Sequence, residues 1–277
     1  MQCAFCGQIR RATKEHVYPR WLREGIWATG PATLTRTKAS VRRTHPITGL
    51  TWILRHSICR ECNNGWMSGL EDVLRDYLLP ALRGQPIILT VETQRLVAAW
   101  AVEKALLFEL KAAEDGGQVT FAPESNLKWL YDHRDAPTAP PGSQVWIAAV
   151  DARLGTADAQ PGWHTASTST PPMDRHFYAV TFQVGDLVFQ VGGQDLGEPY
   201  HDPRTGQPLA ILQRPDCLLP YVNSVWPERS ETITWPRSSR LSIEDLPRFA
   251  AWEDTIAARW RVLAIPRPRQ SERPPDL

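Results

Sequence analysis

The chain has 277 residues, 42% of them hydrophobic and 22% charged, and a formal net charge of +1. That composition fits a globular protein. No apolar run approaches the ~20 residues of a membrane span, and the N-terminus shows no apolar core of a signal peptide, so neither a span nor a leader is expected. The expected location is the cytoplasm, where paired cysteines stay reduced.

The small net charge hides a division. Residues 1–60 hold eleven Lys/Arg and only two acids, Glu15 and Glu24, a net of +9, and the rest of the chain carries −8. No Asp or Glu occurs between Glu24 and Glu61. A basic segment of this kind suits a phosphate backbone. Length and charge together predict a small N-terminal unit over residues 1–85, a larger mixed α+β unit over 86–265 and a Pro-rich, disordered tail over 266–277.

In chain order, Cys3-Ala-Phe-Cys6 with Gly7 predicts a tight metal-binding turn. Pro19 begins a short helix over Arg20–Glu24. Residues 32–43 alternate with a period near 2, His45–Gly49 read as a turn and Leu50–Ile58 as a second strand. Asn63 or Asn64 caps a helix to about Leu79, stopped by Pro80. A second helix is expected over Glu92–Ala113, a loop over 134–143 and a buried strand over Val145–Val150. Residues 155–174 show no pattern. Phe177–Val184 and Leu187–Val191 flank Gly185-Asp186 as a hairpin, and a last helix is expected over Ile243–Arg259.

The chemistry concentrates in the first unit. Cys3, Cys6, Cys59 and Cys62 form two C-x2-C pairs, the ligand set of a structural zinc with no open coordination position. Closing the 52-residue loop between the pairs costs about 3–4 kcal/mol, well below the ~10–16 kcal/mol of thiolate zinc binding. Cys217 stands alone and reads as an inert thiol. The twelve Trp read mainly as core, with Trp66 beside the second cysteine pair.

Glu15-His16 lies between the cysteine pairs and Asn63 directly follows the second. The pattern C-x2-C…E-H-V-x-P…C-x2-C-N over residues 1–79 resembles the zinc-clamped HNH endonucleases, with their ββα-metal fold. The resemblance implies Glu15 and Asn63 as ligands of a catalytic Mg²⁺ or Mn²⁺, and His16 as the general base. It implies nucleic acid, DNA before RNA, as substrate. Arg36, Lys38, Arg42 and Arg43 are the expected phosphate contacts. The family's middle Asn has no counterpart, since no Asn precedes Asn63; His56, or less so His45, is the substitute at hand. The competing expectation is a non-catalytic zinc module that binds nucleic acid or protein, and the second unit would serve substrate choice or a homodimer.

Overall fold

The structure is a computed structural model that describes residues 1–22, 31–38, 41–48, 53–116, 122–151, 162–169, 177–194, 221–242, 245, 246 and 249, with 31–38, 41–48 and 162–169 described by backbone alone. Cys217, the tail from Pro266 and most of the helix expected over Ile243–Arg259 lie outside these residues.

The first turn forms as its sequence dictates. Gly7 takes φ +69°, a conformation that favours glycine. Its N–H donates to Cys3 O at 2.9 Å, and Cys3 N–H donates to Gln8 O at 3.0 Å. Strand β1 (Glu15–His16) then pairs antiparallel with β4 (Ile53–Leu54), Glu15 opposite Leu54 and His16 opposite Ile53. Arg20–Leu22 are helical, as Pro19 predicts, and the remainder of that expected helix lies outside the described residues.

The chain between β1 and β4 contains a hairpin, β2 (Pro31–Lys38) and β3 (Val41–Thr48), paired from Pro31↔Thr48 to Lys38↔Val41. The turn expected at His45–Gly49 is therefore strand as far as Thr48. Pro46 is accommodated because β3 is the edge of its sheet, where a missing N–H interrupts no outer ladder. Of the strand expected over Leu50–Ile58, only Ile53–Leu54 is strand among the described residues.

Arg60–Cys62, Asn63–Met67 and Ser68–Leu82 follow one another without a break as helix α1, with a π turn in the middle and a kink at Gly65. Two expectations are corrected here. Cys59, not Asn63, takes the N-cap position. The helix also passes through Pro80, which sits in its last turn, and stops instead at Gly84. Gly84 has φ +71°; its N–H donates to Ala81 O at 2.9 Å and that of Gln85 to Pro80 O at 3.0 Å. That pair of bonds satisfies the terminal carbonyls as a Schellman motif, and only the left-handed residue makes it possible.

Helix α2 (Val91–Gly116) runs through the interior, with its middle enclosed on all faces. Every residue from Val97 to Leu110 is buried, Glu103 and Lys104 included. Strand β5 (Ile87–Leu89) precedes it and pairs with β11 (Ile233–Trp235). Helix α3 (Glu124–Asp132), which the sequence reading leaves out, buries Asn126, Leu127 and Leu130. Strands β6 (Gln144–Ala149), β7 (Gly162–Ser169), β8 (Phe177–Val184), β9 (Leu187–Gln194) and β10 (Val222–Trp226) complete a seven-stranded sheet, ordered β10-β6-β9-β8-β7-β2-β3. All its pairings are antiparallel except β2 with β7. The fold is mixed α+β, as expected. Strand β7 falls in the stretch without sequence pattern.

Helix α2 joins the parts. Trp100 packs edge-on against Phe182 at 6.2 Å and Phe189 at 5.3 Å. Phe108 meets Phe182 at 5.5 Å on one side and Tyr18 at 5.3 Å on the other. One apolar core thus runs from Cys3 and Phe5 through α2 to the sheet. No helix is long and apolar enough to cross a membrane among the described residues.

Candidate functional site

The two cysteine pairs reach each other because backbone bonds dock the two turns. Ala4 N–H donates to Ser57 O at 2.9 Å and Thr13 N–H to Ile58 O at 3.0 Å, and Ala12 bridges Cys59. The segment before the second pair is held from the far end of α2. The Glu114 carboxylate accepts from Arg55 N–H at 3.0 Å, His56 N–H at 2.9 Å and Ser57 O–H at 2.6 Å. Those bonds draw Glu114 below the usual carboxylate range, against the opposing effect of its burial.

Tetrahedral coordination with a metal–sulfur bond of about 2.3 Å puts sulfurs about 3.8 Å apart. Cys3 Sγ–Cys62 Sγ and Cys6 Sγ–Cys59 Sγ are each 3.8 Å, and all four sulfurs lie within 4.8 Å of one another. The set therefore fits a tetrahedral metal. Cys59 N–H also points at Cys3 Sγ at 3.4 Å, a bond that stabilises a thiolate. The contact with Cys62 pulls the Cys3 thiol down to about 4. The same contact pushes Cys62 far upward, and burial raises Cys59 to about 11. Four thiolates so close repel one another, and a bound cation is what lets all four ionise. Phe5 and Trp66 close the centre with an edge-on contact at 5.3 Å.

Asn63 lies one residue beyond this centre, in the π turn of α1. Its Nδ2 donates to Lys14 O at 3.1 Å, which ties the helix to the residue before Glu15. The amide oxygen is the Asn63 atom left for a cation. His16 is half-buried, while Val17 behind it is fully buried and anchors the strand end. His56 is exposed, and only its backbone N–H is engaged by Glu114.

Glu15 turns inward. It is 5% exposed, and its carboxylate lies with those of Glu71 and Glu103, one oxygen from each within 4.8 Å of the others. Lys104 reaches into the group, its Nζ 2.5 Å from Glu71 Oε1 and 3.1 Å from Glu103 Oε1. Burial lifts Glu15 to about 8 despite Lys104, and burial lifts Glu103 to about 7. Glu71, Glu103 and Lys104 escaped the sequence reading. Their signal was present, since a Glu-Lys pair interrupting the apolar stretch of α2 needs a buried partner.

The four basic residues expected to meet phosphate lie on the β2–β3 hairpin, Arg36 opposite Arg43 and Arg42 opposite Thr37. Strand alternation puts positions 36, 38 and 43 on one face and 42 on the other. A separate cleft of about 640 Å³ opens beside the thiolate centre, lined by residues such as Arg10, Trp66, Leu96, Tyr131 and Arg134. His16 and Asn63 are not among its lining residues. No family model matches the chain, and neither a curated protein nor a solved structure matches it.

Proposed function

We propose that this chain is a metal-dependent endonuclease of the HNH kind, acting on the phosphodiester bonds of nucleic acid, DNA before RNA. In this reading zinc joins Cys3, Cys6, Cys59 and Cys62 and serves structure alone. The observation that carries the proposal is the bond from Asn63 Nδ2 to Lys14 O. It fastens the helix after the second cysteine pair to Lys14, the residue before the short antiparallel pair β1–β4, and that tie supports the ββα-metal reading.

His16 is the general base. Its imidazole takes the proton from the attacking water, and its half-buried position lets it meet both the water and the core that orients it. Glu15 and Asn63 offer a carboxylate and an amide oxygen, hard donors suited to Mg²⁺ or Mn²⁺. When bound there, such an ion would supply stabilisation of charge on the phosphate and the leaving oxygen. Arg36, Lys38 and Arg43 share a hairpin face with which to track the phosphate backbone.

The test is cleavage of supercoiled plasmid and of single strands with Mn²⁺. Wild type should cut, and Asn63→Ala should cut far more slowly with partial rescue by excess Mn²⁺. One observation favours the non-catalytic alternative, namely the inward turn of the Glu15 carboxylate. A wild-type protein that binds nucleic acid and leaves it intact in every metal would establish that alternative.

A further inference from the structure

We infer that Glu15, Glu71 and Glu103 form a binding site for one hard divalent cation, separate from the thiolate centre. The three carboxylates come from β1, α1 and α2, far apart in sequence, and still converge within 4.8 Å. Glu15 and Glu103 are buried, and the Glu71 side chain, 16% exposed, forms the solvent side.

The charge count leaves room for a cation. Lys104 is one ammonium among three carboxylates, and it contacts Glu71 and Glu103 through Oε1 of each. With all three ionised the cluster carries a formal −2, which either protons on the buried carboxyls or one divalent cation can offset. The orphaned oxygen is the independent sign. Glu103 is fully buried, and its Oε2 has no hydrogen-bond partner among the described residues. A carboxylate oxygen in such a place is costly unless a donor or a cation meets it. One divalent ion supplies that contact and brings the cluster to neutrality, with Lys104 retained on the Oε1 atoms.

The donors specify the class of ion. All are carboxylate oxygens, with neither imidazole nor thiolate, which selects Mg²⁺, Mn²⁺ or a similar hard cation over Zn²⁺. Six-coordinate binding at about 2.1 Å places opposite oxygens about 4.2 Å apart, and each carboxylate has an oxygen within 4.8 Å of the others. The site shares Glu15 with the nuclease reading and stands without it, since cation binding requires no cleavage.

The experiment is a Mn²⁺ titration of the full-length, zinc-loaded chain, with free Mn²⁺ read by electron paramagnetic resonance. Wild type should take up one Mn²⁺ per chain. Glu71→Gln and Glu103→Gln should each weaken uptake by at least about tenfold, with zinc content and circular dichroism unchanged. Should Glu103→Gln fail to fold, Glu71→Gln, isosteric and on the solvent side, decides alone. Absence of stoichiometric uptake overturns the inference. Equal uptake by wild type and both variants also overturns it; if Asn63→Ala then loses the ion, the cation belongs to the Asn63 side and the nuclease reading survives.

Discussion

His16 and Glu15 are neighbours with different surroundings, and the difference is testable residue by residue. His16→Ala should lower cleavage by ~10²–10⁴-fold, the usual cost of removing a general base, while bound zinc stays at one per chain. Extra Mn²⁺ should not restore it, because the missing group is a base and not a ligand. Glu15 makes a pH prediction. Burial raises its carboxyl from 4.5 to about 8 and that of Glu103 from 4.5 to about 7. The folded state therefore keeps protons that the unfolded state releases, so stability falls as pH rises from about 4.5 through about 8. Lys104 and Glu71 are charged neighbours of both groups. Urea unfolding of zinc-saturated protein, free of other divalent ions, should show that decline between pH 5 and 8. Glu15→Gln should flatten it, and parallel slopes for the two proteins would contradict the account.

At the scale of elements, one glycine and one carboxylate hold two of the junctions. Gly185 turns the β8–β9 hairpin at φ +57°, and a Cβ there would stand 2.2 Å from the backbone oxygen of Leu82. Gly185→Ala should destabilise the protein by more than ~1 kcal/mol, since both conformation and space oppose it. A lowered thermal midpoint with unchanged zinc content is the expected reading. Glu114 caps three donors of the segment leading into Cys59. Glu114→Ala should cost about 1–3 kcal/mol and speed zinc transfer to a competing chelator.

What was legible in the sequence follows the range of the forces involved. The β8–β9 hairpin was readable because Gly185-Asp186 interrupts two alternating apolar runs, and α2 because its apolar residues recur at helical spacing. The four cysteines were readable because metal ligands come in short local pairs. Strand β7 was not. Gly162–Ser169 is polar and small, and its strand exists through pairing with β2 and β8 on either side. Pro80 misled as a stop signal because the helix absorbs the one bond its missing N–H costs and runs on to Leu82, while Gly84 ends it through its own φ. The Glu103-Lys104 pair inside the apolar stretch of α2 signalled a buried partner, but which carboxylates join it was not legible, because Glu15, Glu71 and Glu103 meet only through the packing of three elements.

The molecule as a whole behaves as one core with a basic hairpin at the edge of its large sheet. Residues of the four-cysteine cluster and of the sheet belong to the same apolar core, with α2 between them. Cys59→Ser should therefore lower the stability of the entire chain, and heat should unfold wild type in one transition seen alike by far-ultraviolet and tryptophan signals. Two separated transitions would show that the cysteine-bearing part folds by itself. Binding to nucleic acid should weaken steeply with salt, and Arg36→Glu with Arg43→Glu should remove most of it, since those positions face each other in register. Salt-independent binding would place the contact elsewhere.

The most direct measurement of the central claim is plasmid nicking by zinc-loaded protein in Mn²⁺, with wild type and His16→Ala compared at equal concentration. The account predicts that wild type nicks, that a chelator too weak to strip the thiolate centre stops it, and that His16→Ala leaves the plasmid closed. A wild-type protein that never nicks, or a His16→Ala protein that nicks as fast as wild type, would contradict it.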